Sequence, residues 1–129
     1  MKGSGLYENS YPYYISALYF LDNRYDDVLS YAIPILKSTK QLYETEMFRI
    51  VGASYFAKSD YANAGVYFQN FQQKDQGKTQ NNQDNYQIGY TAFKLKDYKK
   101  AIEINPNYYN ALRNLGALYF NDALFINNK

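Results

Sequence analysis

The chain repeats itself, and this constrains its fold more than any other feature. A tyrosine follows a short polar turn in three places: Asn23-Arg24-Tyr25, Ser59-Asp60-Tyr61 and Lys96-Asp97-Tyr98. Nine residues before each tyrosine stands a small residue, Ser16, Gly52 or Gly89, and before it a branched aliphatic, Ile15, Val51 or Ile88. Four residues after each small residue comes Phe20, Phe56 or Phe93. The small residues are 36 and then 37 positions apart. Self-similarity at such a period marks an array of supersecondary units, each of which buries its apolar face only by stacking on a neighbour.

Within a unit the period is helical. Phe48, Val51, Gly52 and Tyr55 follow the i, i+3, i+4, i+7 rule for one helix face, and Tyr61, Ala64, Phe68 and Phe71 do so for a second. Lys58-Ser59-Asp60 supplies a tight turn with an N-cap. Each unit therefore reads as two antiparallel helices. Gly52 lies twelve residues before Ala64 and Gly89 twelve before Ala101. Small residues facing each other let two backbones approach closely, with Tyr55 and Phe68 filling the space beside the crossing.

These residues resemble the tetratricopeptide repeat family, whose pattern is aromatic-x2-Leu-Gly-x2-Tyr, then Ala-x3-Phe, then Pro. Phe48-x2-Val51-Gly52-x2-Tyr55 with Ala64-x3-Phe68 matches it, and so does Leu112-x2-Leu115-Gly116-x2-Tyr119, preceded by Asn105-Pro106-Asn107. The first unit is looser: Pro12-x2-Ile15-Ser16-x2-Tyr19, then Val28-x3-Ala32. The resemblance covers residues 10–125. It implies an all-α fold, a right-handed α-α superhelix (solenoid) of about three and a half helix-turn-helix repeats. The repeats are expected over 10–42, 43–80, 81–106 and 107–129, within a single domain. Residues 1–9 read as a flexible leader or cloning remnant. The Tyr-, Asn- and Lys-rich texture resembles such repeats from Bacteroidetes-type bacteria, where they are often tied to the cell envelope.

Four places interrupt the pattern. Gly89 and Gly116 are only 27 apart, two helical turns short of the family period of about 34. Either the third unit has a second helix of about two turns, or a heptad is missing from the sequence or lost at a junction. Pro34 falls inside the second helix of the first unit and predicts a kink or an early end there. Lys74–Asn81 reads as an exposed loop between units two and three. Phe125 occupies the tyrosine site of a fourth second helix, which the last four residues cannot complete.

Composition narrows the chemistry. With no Cys and no His there are no disulfides, thiolate nucleophiles, imidazole bases or usual zinc and haem ligands. Fourteen basic and twelve acidic residues give a formal charge of +2, which offers a nucleic acid or anionic membrane little attraction. No apolar stretch approaches the length of a membrane span, and Met1–Gly5 lacks the apolar segment of a signal peptide. Asp26 and Asp27 read as first-turn acids complementing a helix dipole. Glu44 and Glu46 read as solvated, and Lys94, Lys96, Lys99 and Lys100 as a solvated helix end. No enzyme, cofactor or metal site is expected.

The functional surface is expected on the concave face lined by each unit's first helix, where the resemblance implies binding of a peptide or protein. Positions three before, and one, four and five after the small residue select Tyr13, Ala17, Phe20 and Leu21; Arg49, Ala53, Phe56 and Ala57; Tyr86, Tyr90, Phe93 and Lys94; and Arg113, Ala117, Phe120 and Asn121. Of these, Tyr13, Phe20, Arg49, Phe56, Tyr86, Tyr90, Phe93, Lys94 and Arg113 are the candidate partner-binding residues, with the two arginines as isolated charges. The carboxylate-clamp members of the family use Lys and Asn at these sites to hold a peptide C-terminus, whereas here the positions three before and one after the small residue are Tyr or Arg, then Ala or Tyr. Aromatics and Arg are enriched at binding hot spots. The rival reading is a glycan-binding or envelope-assembly module of a larger bacterial protein, with Tyr86, Tyr90 and Gln87 as its residues. Stacking on single-stranded RNA is disfavoured by the charge. Self-association through uncapped repeat ends is a further expectation.

Overall fold

The computed structural model describes residues 9–38 and 40–104. Among them are six α-helices and no strand. The helices are α1 (Tyr11–Leu21), α2 (Tyr25–Ser38), α3 (Glu44–Ala57), α4 (Tyr61–Asp75), α5 (Asn82–Lys94) and α6 (Tyr98–Ile104). The all-α class expected from the period is borne out. The chain divides into two compact units, residues 1–79 and residues 80–129.

The first unit holds α1 to α4. Pro12 lies in the first turn of α1, where its missing N–H costs no hydrogen bond. Asp26 and Asp27 lie in the first turn of α2 and Lys37 in its last, each complementing the helix dipole. α4 starts at Asp60, whose carboxylate accepts from the Asn63 backbone N–H at 3.3 Å and from the Asn63 side-chain amide at 2.8 Å. Val28, Ala32, Met47 and Val51 are fully buried and form one core cluster between α2 and α3. Tyr13, Tyr19, Phe20, Ile33, Ile50 and Tyr55 pack against it. Ala64, Phe68 and Phe71 extend the buried set along α4. In α3, Gly52 is occupied by its neighbour: a Cβ there would lie 2.6 Å from Phe68 Cδ1 and 2.7 Å from Cε1. The Phe68 ring, expected beside the crossing, therefore lies over Gly52 itself.

Pro34 does not end α2, which runs on to Ser38. The early end expected at this residue is thus not realised. Pro34 removes the amide that would serve the Ser30 carbonyl, but Ser30 and Pro34 are both exposed, so water can satisfy that oxygen. Val28 and Ala32 on the opposite face keep the helix packed.

α4 also runs further than expected. Asp75, placed by composition in an exposed loop, is the last residue of the helix and is 4% exposed. Its carboxylate accepts from the Thr79 backbone N–H at 3.0 and 3.1 Å and from the Thr79 hydroxyl at 2.5 Å. The turn between them passes through Gln76 and Gly77, both at positive φ.

The second unit holds α5 and α6. α5 opens with a reciprocal capping box: the Asp84 N–H donates to Asn81 Oδ1 at 2.9 Å, and the Asn81 N–H to Asp84 Oδ2 at 3.0 Å. α6 spans seven residues, two turns, and the Lys100 N–H donates to Asp97 Oδ1 at 3.2 Å at its start. Ala92 and Ala101 are buried against each other, with Phe93, Tyr98 and Ile102 around them.

The turn within each pair is built the same way three times. Arg24 N donates to Tyr19 O, Asp60 N to Tyr55 O and Asp97 N to Ala92 O, at 2.9, 2.9 and 2.8 Å. The residue before each donor has positive φ: Asn23 at 58°, Ser59 at 60° and Lys96 at 66°. This is the Schellman ending, which satisfies the last carbonyls of the first helix while reversing the chain.

Candidate functional site

The candidate residues of the second unit come together on one helix. Tyr86, Tyr90, Phe93 and Lys94 recur at i, i+4, i+7 and i+8 of α5 and so share a face. The Tyr86 and Tyr90 rings are stacked, 6.1 Å apart at 20°. Phe93 meets Tyr90 edge-on at 6.2 Å and 60°. Lys94 Nζ stands 5.5 Å from the centre of the Tyr90 ring, within the range of a cation–π contact. Tyr86 is 40% exposed, while Ile88, Thr91 and Ala92 on the other side of the helix are buried. The capping box at Asn81 and Asp84 fixes the start of this helix one turn before Tyr86. The result is an aromatic row with a cation at its end.

The first unit treats its candidates differently. Tyr13 packs on the core and joins Tyr14 and Tyr43 in a tyrosine cluster, with ring centroids 5.2, 5.3 and 6.3 Å apart. Tyr43 adopts φ 61° at the start of α3, a conformation costly for a bulky side chain. Tyr43 escaped the sequence reading because its nearness to Tyr13 and Tyr14 comes from packing that brings the start of α3 against α1, while Tyr14 adjoins Tyr13 in sequence but falls outside the spacing that selects the groove positions.

Phe20 and Phe56 serve the turns. Phe20 meets Tyr25 at 5.7 Å and 65°, and Phe56 meets Tyr61 at 5.8 Å and 78°. Phe93 makes the equivalent contact with Tyr98 at 5.9 Å and 48°. Each phenylalanine thus spans its turn to the tyrosine that opens the next helix. Phe93 also joins a tyrosine on its own helix, Tyr90.

Arg49 is not an isolated charge. It pairs with Glu46 at 2.5 Å, donates to the Thr79 carbonyl at 3.0 Å and hydroxyl at 2.8 Å, and stacks over Phe71 at 4.5 Å. These contacts tie α3 to the turn that follows α4. Glu44 and Glu46, expected in solvent, are instead paired: Glu44 lies 3.1 Å from Lys74 and is 14% exposed. Arg113 lies outside the described residues.

Asp26 pairs with Lys58 at 2.5 Å, and Asp27 with Arg24 at 2.7 Å. The Arg24 guanidinium is raised further above its ordinary range by that hydrogen bond and the Asp27 charge. Lys37, Lys40, Lys74 and Glu44 line an open cleft of about 360 Å³ with Leu36 and Ser38. Of its charges, Lys37 lies in the last turn of α2, and Lys74 and Glu44 pair with each other. Among the described residues no group of three or more acidic side chains converges as a metal site, and no helix is long and apolar enough to cross a membrane. No protein-family model, curated protein or solved structure matches the chain.

Proposed function

We propose that the chain is a tetratricopeptide-like repeat module, a solenoid without catalytic activity, which binds an extended peptide or protein segment along the aromatic face of α5. The observation that carries this reading is the Tyr86–Tyr90–Phe93 row with Lys94 over the Tyr90 ring. Such a row offers flat apolar area with polar edges and little side-chain entropy to lose, the features of a binding hot spot. Lys94 favours a segment carrying an acidic or C-terminal carboxylate near its end. Arg49, engaged with Glu46 and Thr79, supports the first unit and takes no part in this reading.

Selection of a displayed random-peptide library on the intact protein tests it. Enriched sequences are expected to bind at least about thirtyfold more weakly to Tyr90→Ala, a loss of about 2 kcal/mol, and to bind Tyr90→Phe normally. Equal binding to all three proteins would remove the α5 face from the site.

The glycan reading has one observation in its favour. The near-parallel Tyr86 and Tyr90 rings form a platform on which a sugar ring can stack, and Gln87 lies beside them in sequence. A glycan array probed with intact and Tyr86→Ala protein separates the two: sugar binding lost on substitution, with no peptide enriched, favours the glycan.

A further inference from the structure

The outer face of α1 is poorly suited to water. Tyr11, Tyr14, Leu18 and Leu21 follow i, i+3, i+7, i+10, the a/d spacing of a coiled-coil seam, and are 50%, 50%, 66% and 77% exposed. The eleven residues of the helix carry no charge. Buried Ser16, with its hydroxyl bonded to the Pro12 carbonyl at 2.6 Å, marks the inner face. The apolar surface continues through the tyrosine cluster to Leu42 and Tyr43, both exposed, with the Tyr43 ring 6.3 Å from that of Tyr14.

The repeat shows what such a face receives. Thirty-six residues on, Tyr11, Tyr14 and Leu18 correspond to Met47, Ile50 and Ser54 of α3. Met47 and Ser54 are fully buried, and Met47 and Ile50 belong to the core α3 builds with α1 and α2. In α3 the first three positions of this register form a helix-packing face, while the fourth, Ala57 opposite Leu21 in the repeat, is exposed. On α1 the same register carries larger apolar side chains and is uncovered.

We infer that the α1 stripe is a homotypic docking seam, on which the α1 stripe of a second copy of the chain packs. Two such stripes meet without burying a single charge, and a self-complementary patch closes in one two-fold contact. At about 200 Å² for a side chain of this size, the exposed parts of Tyr11, Tyr14, Leu18, Leu21, Leu42 and Tyr43 offer roughly 600 Å² per copy. A standard interface buries about 800 Å² per partner. The seam therefore sits at the lower edge of specific association and gives a weak, concentration-dependent dimer. It does not involve α5 and stands independently of the peptide-binding reading.

Sedimentation equilibrium of the intact protein tests it, with dimer expected at concentrations on the order of 10–100 μM. Leu18→Glu changes a side chain already two-thirds in solvent, so circular dichroism should be unaltered while the dissociation constant rises at least about tenfold. Val66→Glu, at an exposed apolar position on α4 outside the seam, should leave the equilibrium unchanged. A protein that stays monomeric throughout overturns the inference. So does equal weakening by both substitutions, which would reduce the association to general stickiness.

Discussion

Asn23, Ser59 and Lys96 occupy the same place in three successive turns, and each holds a left-handed backbone without being glycine. That conformation costs an L-residue about 1–2 kcal/mol, of which glycine's greater freedom in the unfolded chain returns about half. Lys96→Gly should therefore stabilise the protein by about 0.5–1 kcal/mol, read as a higher urea midpoint at unchanged slope. Lys96 is exposed, so little packing is lost. Gly52 gives the opposite expectation. Its Cβ position lies against the buried Phe68 ring, which is 1% exposed and has nowhere to retreat. Gly52→Ala should destabilise by about 1–3 kcal/mol despite alanine's better helix propensity. A neutral or stabilising result would mean that α3 and α4 separate more easily than this contact shows.

The helices themselves were legible in the sequence because apolar spacing is local. Phe48, Val51, Gly52 and Tyr55 announce α3 with no knowledge of what covers them. Asp60 was legible as a cap for the same reason. The Asn81–Asp84 capping box was equally local, but the polar run before it reads as loop and conceals where α5 begins. Phe20 and Phe56 were legible as groove or interhelix residues, but not their partners Tyr25 and Tyr61, which come near only after the chain has turned back. Helix pairing also sets how the unit responds to alkali. Tyr55 packs on Tyr67 at 5.7 Å and Tyr31 on Tyr19 at 6.2 Å, and burial raises Tyr31, Tyr55 and Tyr67 above the usual phenol value near 10. Unfolded chains then release these protons at lower pH than folded ones. The stabilisation is complete below pH 10 and is lost as pH rises through the raised values. Urea midpoints should be flat from pH 8 to 10 and fall beyond it, and Tyr67→Phe should make that fall shallower.

At the scale of the whole chain, the division at Thr79 leaves the first unit with its own core, from Val28 and Met47 to Phe68 and Phe71. Beyond the packing of Ala64, Phe68 and Phe71, the turn after its last helix adds a second fastening. Asp75 and Arg49 both hold Thr79, and Arg49 reaches it across 30 residues of sequence. No periodicity announces such a link, which is why Arg49 read as a lone charge in a groove and Asp75 as loop. The link makes a prediction that separates packing from fastening. A fragment of residues 1–79 should be helical and melt cooperatively. A fragment of residues 1–77 keeps all four helices but leaves the Asp75 carboxylate and the Arg49 guanidinium without Thr79. Hydrogen bonds to charged groups are worth about 1.5–3 kcal/mol each, part of which water restores at this exposed turn. The shorter fragment should be less stable by about 2 kcal/mol, or roughly 10 °C in Tm for a domain of this size. Equal melting of the two would show that helix packing alone holds α4. Failure of both to fold would place the stability of the first unit in residues beyond Thr79.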